Sequence, residues 1–267
     1  MSIPRRVLSL ASLTLVASSL LITGPSSAAG PRRGLVAHYC FNTTTVSDCS
    51  DTGNEGTATG SVSLVPGVLG KAARFGGYQD LGYVRVPASA SLAFGNDFTI
   101  SYWVRFDSFA GENAYGQSVP YATQIAVAKS HDRTGLFSYI SASGGASGPE
   151  AGSVGVIDYG AGANFNAPIK PQLGKWVHVT FSQRSAPERA RLYVDGKLVQ
   201  TIEDGHYDFS VASGQPLYLG AQAPLFGGRL YTYPLTGALD EVRIYNRELQ
   251  PFEIYLTVIS DRLGIRN

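Results

Sequence analysis

The sequence predicts an all-β sandwich, and three observations carry that reading. Apolar and polar residues alternate with period two in many short runs separated by turn residues. Gly and Tyr are abundant (31 and 15 of 267 residues) while charged residues make up only 15%. Amphipathic helical runs are missing between the strands, which excludes a parallel α/β sheet.

The N-terminus is read first because it does not belong to the fold. Arg5-Arg6 precede an apolar run from Val7 to Ile22, and the small-residue stretch Ser26-Ser27-Ala28-Ala29-Gly30 follows. A basic start, a short apolar centre and a small-x-Ala end describe a secretory signal peptide. A transmembrane anchor needs about 20 apolar residues, and the serines and Pro25 interrupt this run. Residues 1–29 are therefore expected to be removed, with 30–267 forming one secreted domain, extracellular or periplasmic. Loss of Arg5 and Arg6 takes the formal net charge from +1 to −1. That balance offers no attraction for nucleic acid or an anionic membrane surface, and no second long apolar run predicts membrane insertion.

Strands are expected at Leu35–Phe41, Thr57–Val65, Ala72–Phe75, Tyr83–Val86 and Phe98–Phe106. Further candidates are Ile125–Lys129, Leu136–Ser141, Ser153–Tyr159, Trp176–Gln183 and Ala190–Val194. Leu198–Ile202, Leu217–Leu219 and Leu239–Tyr245 complete the set. The clearest is Trp176 onward: Val177, Val179 and Phe181 take one face, Trp176, His178 and Thr180 the other. Asp195-Gly196 supplies a two-residue hairpin turn, because both residues tolerate positive φ. One short helix is expected over Gln250 to about Leu263, where Phe252, Tyr255, Leu256 and Ile259 recur at helical spacing. Phe109–Tyr121 and Gly144–Pro168 read as long loops, the second interrupted by one strand. Cys40 and Cys49 are the only cysteines, and in an exported protein the expected state is a disulfide closing a short loop.

Several blocks in order resemble laminin-G-like domains of the concanavalin A-like lectin/glucanase superfamily. They are Gly34–Phe41, Asp51–Thr57, Gly67–Phe75, Phe98–Val104, Gly174–Phe181 with Leu192–Lys197, and Gly237–Arg247. The resemblance implies a jelly-roll sandwich of two antiparallel sheets. It implies no single activity, since such folds host lectins, adhesion modules and glycosidases.

The resemblance also implies a structural Ca²⁺. Asp240 shares parity with Val242 and Ile244, so it is expected to point to the apolar side, where a carboxylate needs a partner. Asn42 and the main-chain carbonyl of Gly76 would be its co-ligands, oxygen donors of the kind Ca²⁺ takes. The alternative is an Asp paired with an arginine such as Arg74, or bonded to backbone N–H groups.

Catalytic signatures are sparse. The four histidines are scattered and form no zinc motif; His178 reads as a hydrogen-bonded structural residue. There is no G-x-S-x-G elbow. Glu203-Asp204 and Asp240-Glu241 do not give the spacing that sets two carboxylates about 5 Å apart for retaining glycoside hydrolysis. Loop tyrosines suggest instead a surface that stacks on sugar rings. One group is Tyr159 with Asp158 and Asn164; another is Arg229, Tyr231 and Tyr233. The leading expectation is a non-catalytic module that binds extracellular or cell-wall carbohydrate. A hydrolase or lyase with a pair formed across loops, and an adhesive protein-binding module, are the alternatives.

Overall fold

A computed structural model describes residues 31–93, 95, 97–112, 118–119, 122–131, 134–140, 153–158, 163–167, 170–203, 214–222 and 233–265. The expected signal segment lies outside them. The first strands are β1 (Leu35–Tyr39), β2 (Thr57–Thr59), β3 (Val62–Pro66), β4 (Lys71–Gly76), β5 (Tyr83–Val86) and β6 (Phe98–Phe106). Next come β7 (Gly111–Glu112), β8 (Ser118–Val119), β9 (Gln124–His131), β10 (Thr134–Ile140), β11 (Val154–Asp158) and β12 (Ala163–Asn166). The chain continues through β13 (Trp176–Ser185), β14 (Glu188–Val194), β15 (Lys197–Glu203), β16 (Leu217–Leu219) and β17 (Thr236–Tyr245) to helix α1 (Pro251–Arg262).

Two antiparallel sheets stack face to face. One runs β15-β14-β13-β6-β17-β4-β3, with β1 also paired to β17; the other runs β12-β11-β10-β9-β16-β5-β2. Period-two alternation puts Ile100, Tyr102 and Val104 of β6 and Val177, Val179 and Phe181 of β13 on the inner face of the first sheet. They meet Val84, Val86, Val127, Leu136, Val156, Leu217 and Leu219 from the second. Tyr102 also bonds Ser138 across the gap. The Asp195-Gly196 turn between β14 and β15 has φ of 50° and 76°, the left-handed pair that a tight hairpin requires.

The run Thr57–Val65 is two strands in different sheets: β2 pairs with β5 and β3 with β4. Gly60 makes the corner with φ of 69°, and a Cβ there would lie 2.5 Å from the carbonyl oxygen of Leu81. Only glycine lets the chain pass this close.

Helix α1 forms where expected but presents the opposite face. Phe252 is 65% and Tyr255 57% exposed, whereas Ile254, Thr257, Val258, Ser260 and Asp261 are buried. The helix lies on the outer face of the eight-stranded sheet, where Ile254 joins an apolar cluster of Tyr193, Tyr245 and Leu249 and Asp261 meets polar groups. Asp261 accepts from Trp103 Nε1 at 2.8 Å and from both terminal nitrogens of Arg243 at 2.8 Å. Its start is fixed by Pro251 and by a reciprocal pair in which Gln250 N–H donates to Glu253 and the Gln250 side chain caps the first turn.

Cys40 and Cys49 are bonded, with Cα atoms 6.3 Å apart. Asp48 organises the loop they close, accepting from the backbone N–H of His38, Ser50 and Asn54 and from the hydroxyls of Ser50 and Thr52. Burial pushes its pKa up, but these hydrogen bonds outweigh it and hold the carboxyl below its ordinary range.

Candidate functional site

The outward face of the seven-stranded sheet follows from its inward one. Val84 and Val86 point to the core, so Tyr83 and Arg85 point out; Leu217 and Leu219 point in, so Tyr218 points out. Tyr139 alternates outward from Leu136 by the same rule, and a register shift on β9 brings Ile125 opposite it. The result is an apolar cluster of Ile125, Ala128, Tyr139 and Tyr218, with Tyr83, Ile157 and Tyr233 packed against it.

Its geometry suits a flat amphipathic ligand. The rings of Tyr83 and Tyr218 lie 6.0 Å apart, inclined at 54°. Tyr139 reaches over β11 and donates its hydroxyl to Asn166 Oδ1 at 3.0 Å. It can do so because the residue between them is Gly155, where a Cβ would fall 2.6 Å from that same oxygen. Tyr139 and Tyr218 are buried in the cluster, Tyr83 is half-buried, and Arg85, Thr57 and Thr59 are exposed beside it. Aromatic faces cover the C–H face of a sugar ring, while hydroxyl, amide and guanidinium groups bond its hydroxyls.

Of the tyrosines singled out in the sequence, Tyr233 belongs to this cluster, and its carbonyl accepts from Ile125 N at 2.8 Å. Asn164 stands opposite Ile157 on the outward ladder, whereas Asp158 stands opposite Ala163, an alternate position. Tyr159, Arg229 and Tyr231 lie outside the described residues. Tyr83, Arg85, Tyr139 and Tyr218 lie on strands, away from the loop tyrosines that the sequence suggested as a stacking surface. The signal was there in the alternation Tyr83-Val84-Arg85-Val86 and Leu217-Tyr218-Leu219.

The carboxylate expected to hold a metal is arranged differently from expectation. Asp240 lies opposite Trp103, and Arg243 opposite Ser101, so Glu241 and Val242 together face one residue of β6. This is a β-bulge, with Glu241 at φ of 51°. It breaks the assumed parity: Val242 and Ile244 point to the core, while Asp240 shares the outer face with Trp103. Asp240 is nonetheless 0% exposed. Its Oδ2 accepts from Val68 N at 2.8 Å and Leu69 N at 3.0 Å, and its Oδ1 from Glu241 N at 2.9 Å. Burial, with the nearby Glu241 charge, pushes its pKa up to about 7 against the pull of those bonds.

The other donors do not join it. Gly76 pairs with Thr236, four residues down β17 from Asp240, a separation of about 13 Å along a strand, where Ca²⁺ requires oxygens within about 2.6 Å. Asn42 Oδ1 accepts from the backbone N–H of Lys71 at 3.2 Å. Arg74 pairs with Asp107, not Asp240. Three N–H dipoles aimed at Asp240 fit the backbone-bonded alternative and do not fit an oxygen cage. Among the described residues no group of three or more His, Cys, Asp or Glu is placed to hold a metal ion.

Beside Asp240 the same face holds a cleft of about 230 Å³ next to the disulfide, floored by His38, Glu241 and Arg243. Its charges satisfy one another: Glu241 bonds His38 Nε2 at 2.7 Å and also Arg243, which is tied to Asp261. His178 is structural, as its strand position suggested. It bonds Ser101 Oγ at 3.0 Å, and burial holds its pKa down to about 3, so it is neutral.

Comparison with known proteins places this geometry. The family model described as the concanavalin A-like lectin/glucanases superfamily matches residues 77–255. No curated protein sequence matches the chain. Among solved structures it resembles domain 4 of AbnA, a GH43 extracellular arabinanase from Geobacillus stearothermophilus, in complex with arabinotriose. The identity is 20% and the TM-score 0.59, over 83% of this chain and 96% of that one. It also resembles the binding domain of botulinum neurotoxin DC in complex with SialylT (16% identity, TM-score 0.61), over 86% of this chain and 52% of that chain. The same toxin domain in complex with rat synaptotagmin II gives 15% identity and a TM-score of 0.59, over 85% and 52%. The chain thus spans about half the length of the toxin domains, and at these identities the likeness is one of fold.

Proposed function

Because this chain belongs to the concanavalin A-like lectin/glucanase superfamily, we propose that it is an exported recognition module that binds extracellular or cell-wall carbohydrate without turning it over. The site is the outward face of the seven-stranded sheet. The observation that carries this reading is the outward pair Tyr83 and Tyr218, set beside the Tyr139–Asn166 hydrogen bond. A tyrosine on a rigid ladder costs little to order on binding, because its backbone is already fixed. Support comes from the neighbours in complex with arabinotriose and SialylT, which carry glycans on the same fold. Export rests on the N-terminal pattern around Arg5-Arg6 and Ala28-Ala29, and the Cys40–Cys49 bond is the form expected in an oxidising compartment.

A glycan array probed with the purified chain, run beside a reducing-sugar assay on the polysaccharides it binds, tests the proposal. Binding to a defined set of glycans with no sugar release is the expected result. Release of reducing ends, abolished by replacing a single carboxylate, would replace this reading with an enzymatic one.

A further inference from the structure

Arg85 is one of the cations, with Arg32, Lys71, Lys175 and Lys197, that form no ion pair with a carboxylate among the described residues, and it is the one that stands on the tyrosine-lined face. Arg74, Arg105, Arg189, Arg243, Arg247 and Arg262 each lie against a carboxylate. Arg85 is exposed and makes no hydrogen bond or ion pair to the described residues. Its place is defined by the ladder: it points outward from β5, opposite Tyr218 on β16 and Thr57 on β2, two residues from Tyr83. A cation that held the fold together would have a partner; this one is presented to solvent amid the tyrosines.

Resting on the glycan-binding reading above, we propose that Arg85 makes this face selective for one class of carboxylate-bearing glycan, the uronic acids. A guanidinium offers two parallel N–H donors in a plane, and a carboxylate accepts both at once. With the C–H face of a pyranose against the half-buried Tyr83, a carboxylate on the ring edge reaches the neighbouring guanidinium. The described face holds a single unpaired cation, which matches one carboxylate on one sugar. A polysulfated chain would call for a row of cations. The formal net charge of −1 that remains once residues 1–29 are removed gives no long-range attraction for an acidic glycan, so selectivity has to come from this contact.

The test uses a panel of uronic acid oligomers and, for each, the same oligomer with its carboxyl groups reduced to primary alcohols. Binding of the purified chain is measured by calorimetry, with Arg85→Gln and Arg85→Lys alongside. The acidic member of at least one pair should bind roughly tenfold or more tightly than its reduced twin, the worth of a charge-assisted hydrogen bond. Arg85→Gln should abolish the preference within the pair, bringing the acidic form down to the affinity that the same variant shows for the neutral one. Arg85→Lys should keep a reduced preference, because the charge remains and the fork is lost. Equal affinity for both members of every pair, or a preference that survives in Arg85→Gln, overturns the proposal while the glycan-binding reading stands. Binding of neither member of any pair and of no other glycan overturns both. Because Arg85 is exposed and bonds none of the described residues, its variants should melt with the wild type, so a lost preference reads as recognition.

Discussion

Trp103 on β6 donates its indole N–H to Asp261 on α1 over 2.8 Å, to the same oxygen that accepts from Arg243 on β17. One buried carboxylate thus ties the helix to two central strands of the eight-stranded sheet. Replacing it strands a buried guanidinium with Glu241 as its remaining partner. Asp261→Ala should cost about 3–5 kcal/mol in chemical denaturation, the usual result of removing one member of a buried pair. Asp261→Asn, which keeps an acceptor for Trp103, should cost less. A loss indistinguishable from zero for both would show that the helix is held by Ile254 and Val258 alone.

Asp240 gives a pH dependence with a definite sign. Its pKa is 3.8 in the unfolded chain and about 7 in the folded protein, raised mainly by burial. Below pH 4 both states hold the proton. Between about 4 and 7 the unfolded chain releases it while the folded protein keeps it, so this group's contribution falls as pH rises, by at most about 4 kcal/mol. Asp240→Asn should lack that loss, so the variant gains on the wild type between pH 4.5 and 7.5. Parallel stability curves for the two proteins would contradict the assignment.

The same carboxylate decides the calcium question. With three N–H groups on Asp240 and its expected co-ligands elsewhere, melting temperatures in Ca²⁺ and in EDTA should coincide. A Ca²⁺-dependent rise that disappears in Asp240→Ala, by binding to the native state, would show that the ion displaces those donors and that the expected site is real.

Reduction of Cys40–Cys49 should be tolerated but not free. The bond closes a loop with a sequence separation of 9, worth about 2–3 kcal/mol by loop entropy. The double variant Cys40→Ala/Cys49→Ala should fold, because Asp48 still gathers the loop through His38, Ser50 and Asn54. Alkylatable thiols in native, non-reduced protein would argue against the bond itself.

The sequence made much of this legible where one local rule governed. The Asp195-Gly196 turn, the alternation of Trp176–Phe181 and the site of the helix all follow from spacing. Departures came where a backbone irregularity or a neighbour overrode the pattern. The bulge at Glu241 shifts parity within β17, so counting by twos placed Asp240 on the wrong face. Gly60 turns one apparent strand into two in different sheets. On α1 the apolar stripe of Phe252, Tyr255 and Leu256 is the exposed one, because the surface that the helix meets offers Trp103 N–H and Arg243, and these require Asp261. The tyrosine-lined face was readable from β5 and β16, yet only the ladder shows that Tyr83, Tyr139 and Tyr218 share it.

The central claim is that this tyrosine face binds carbohydrate, and a calorimetric titration of Tyr83→Ala against the wild type tests it most directly. The glycan is the one that the wild type binds best on an array. Tyr83 is half-buried and packed against Tyr218, so its removal should lower the melting temperature without unfolding the protein at the temperature of the titration, and weaken binding by about 1–3 kcal/mol, as for an aromatic anchor at an interface. Undiminished affinity in Tyr83→Ala, and again in Tyr218→Ala once that variant is shown to be folded, would contradict the account and move the site off this sheet.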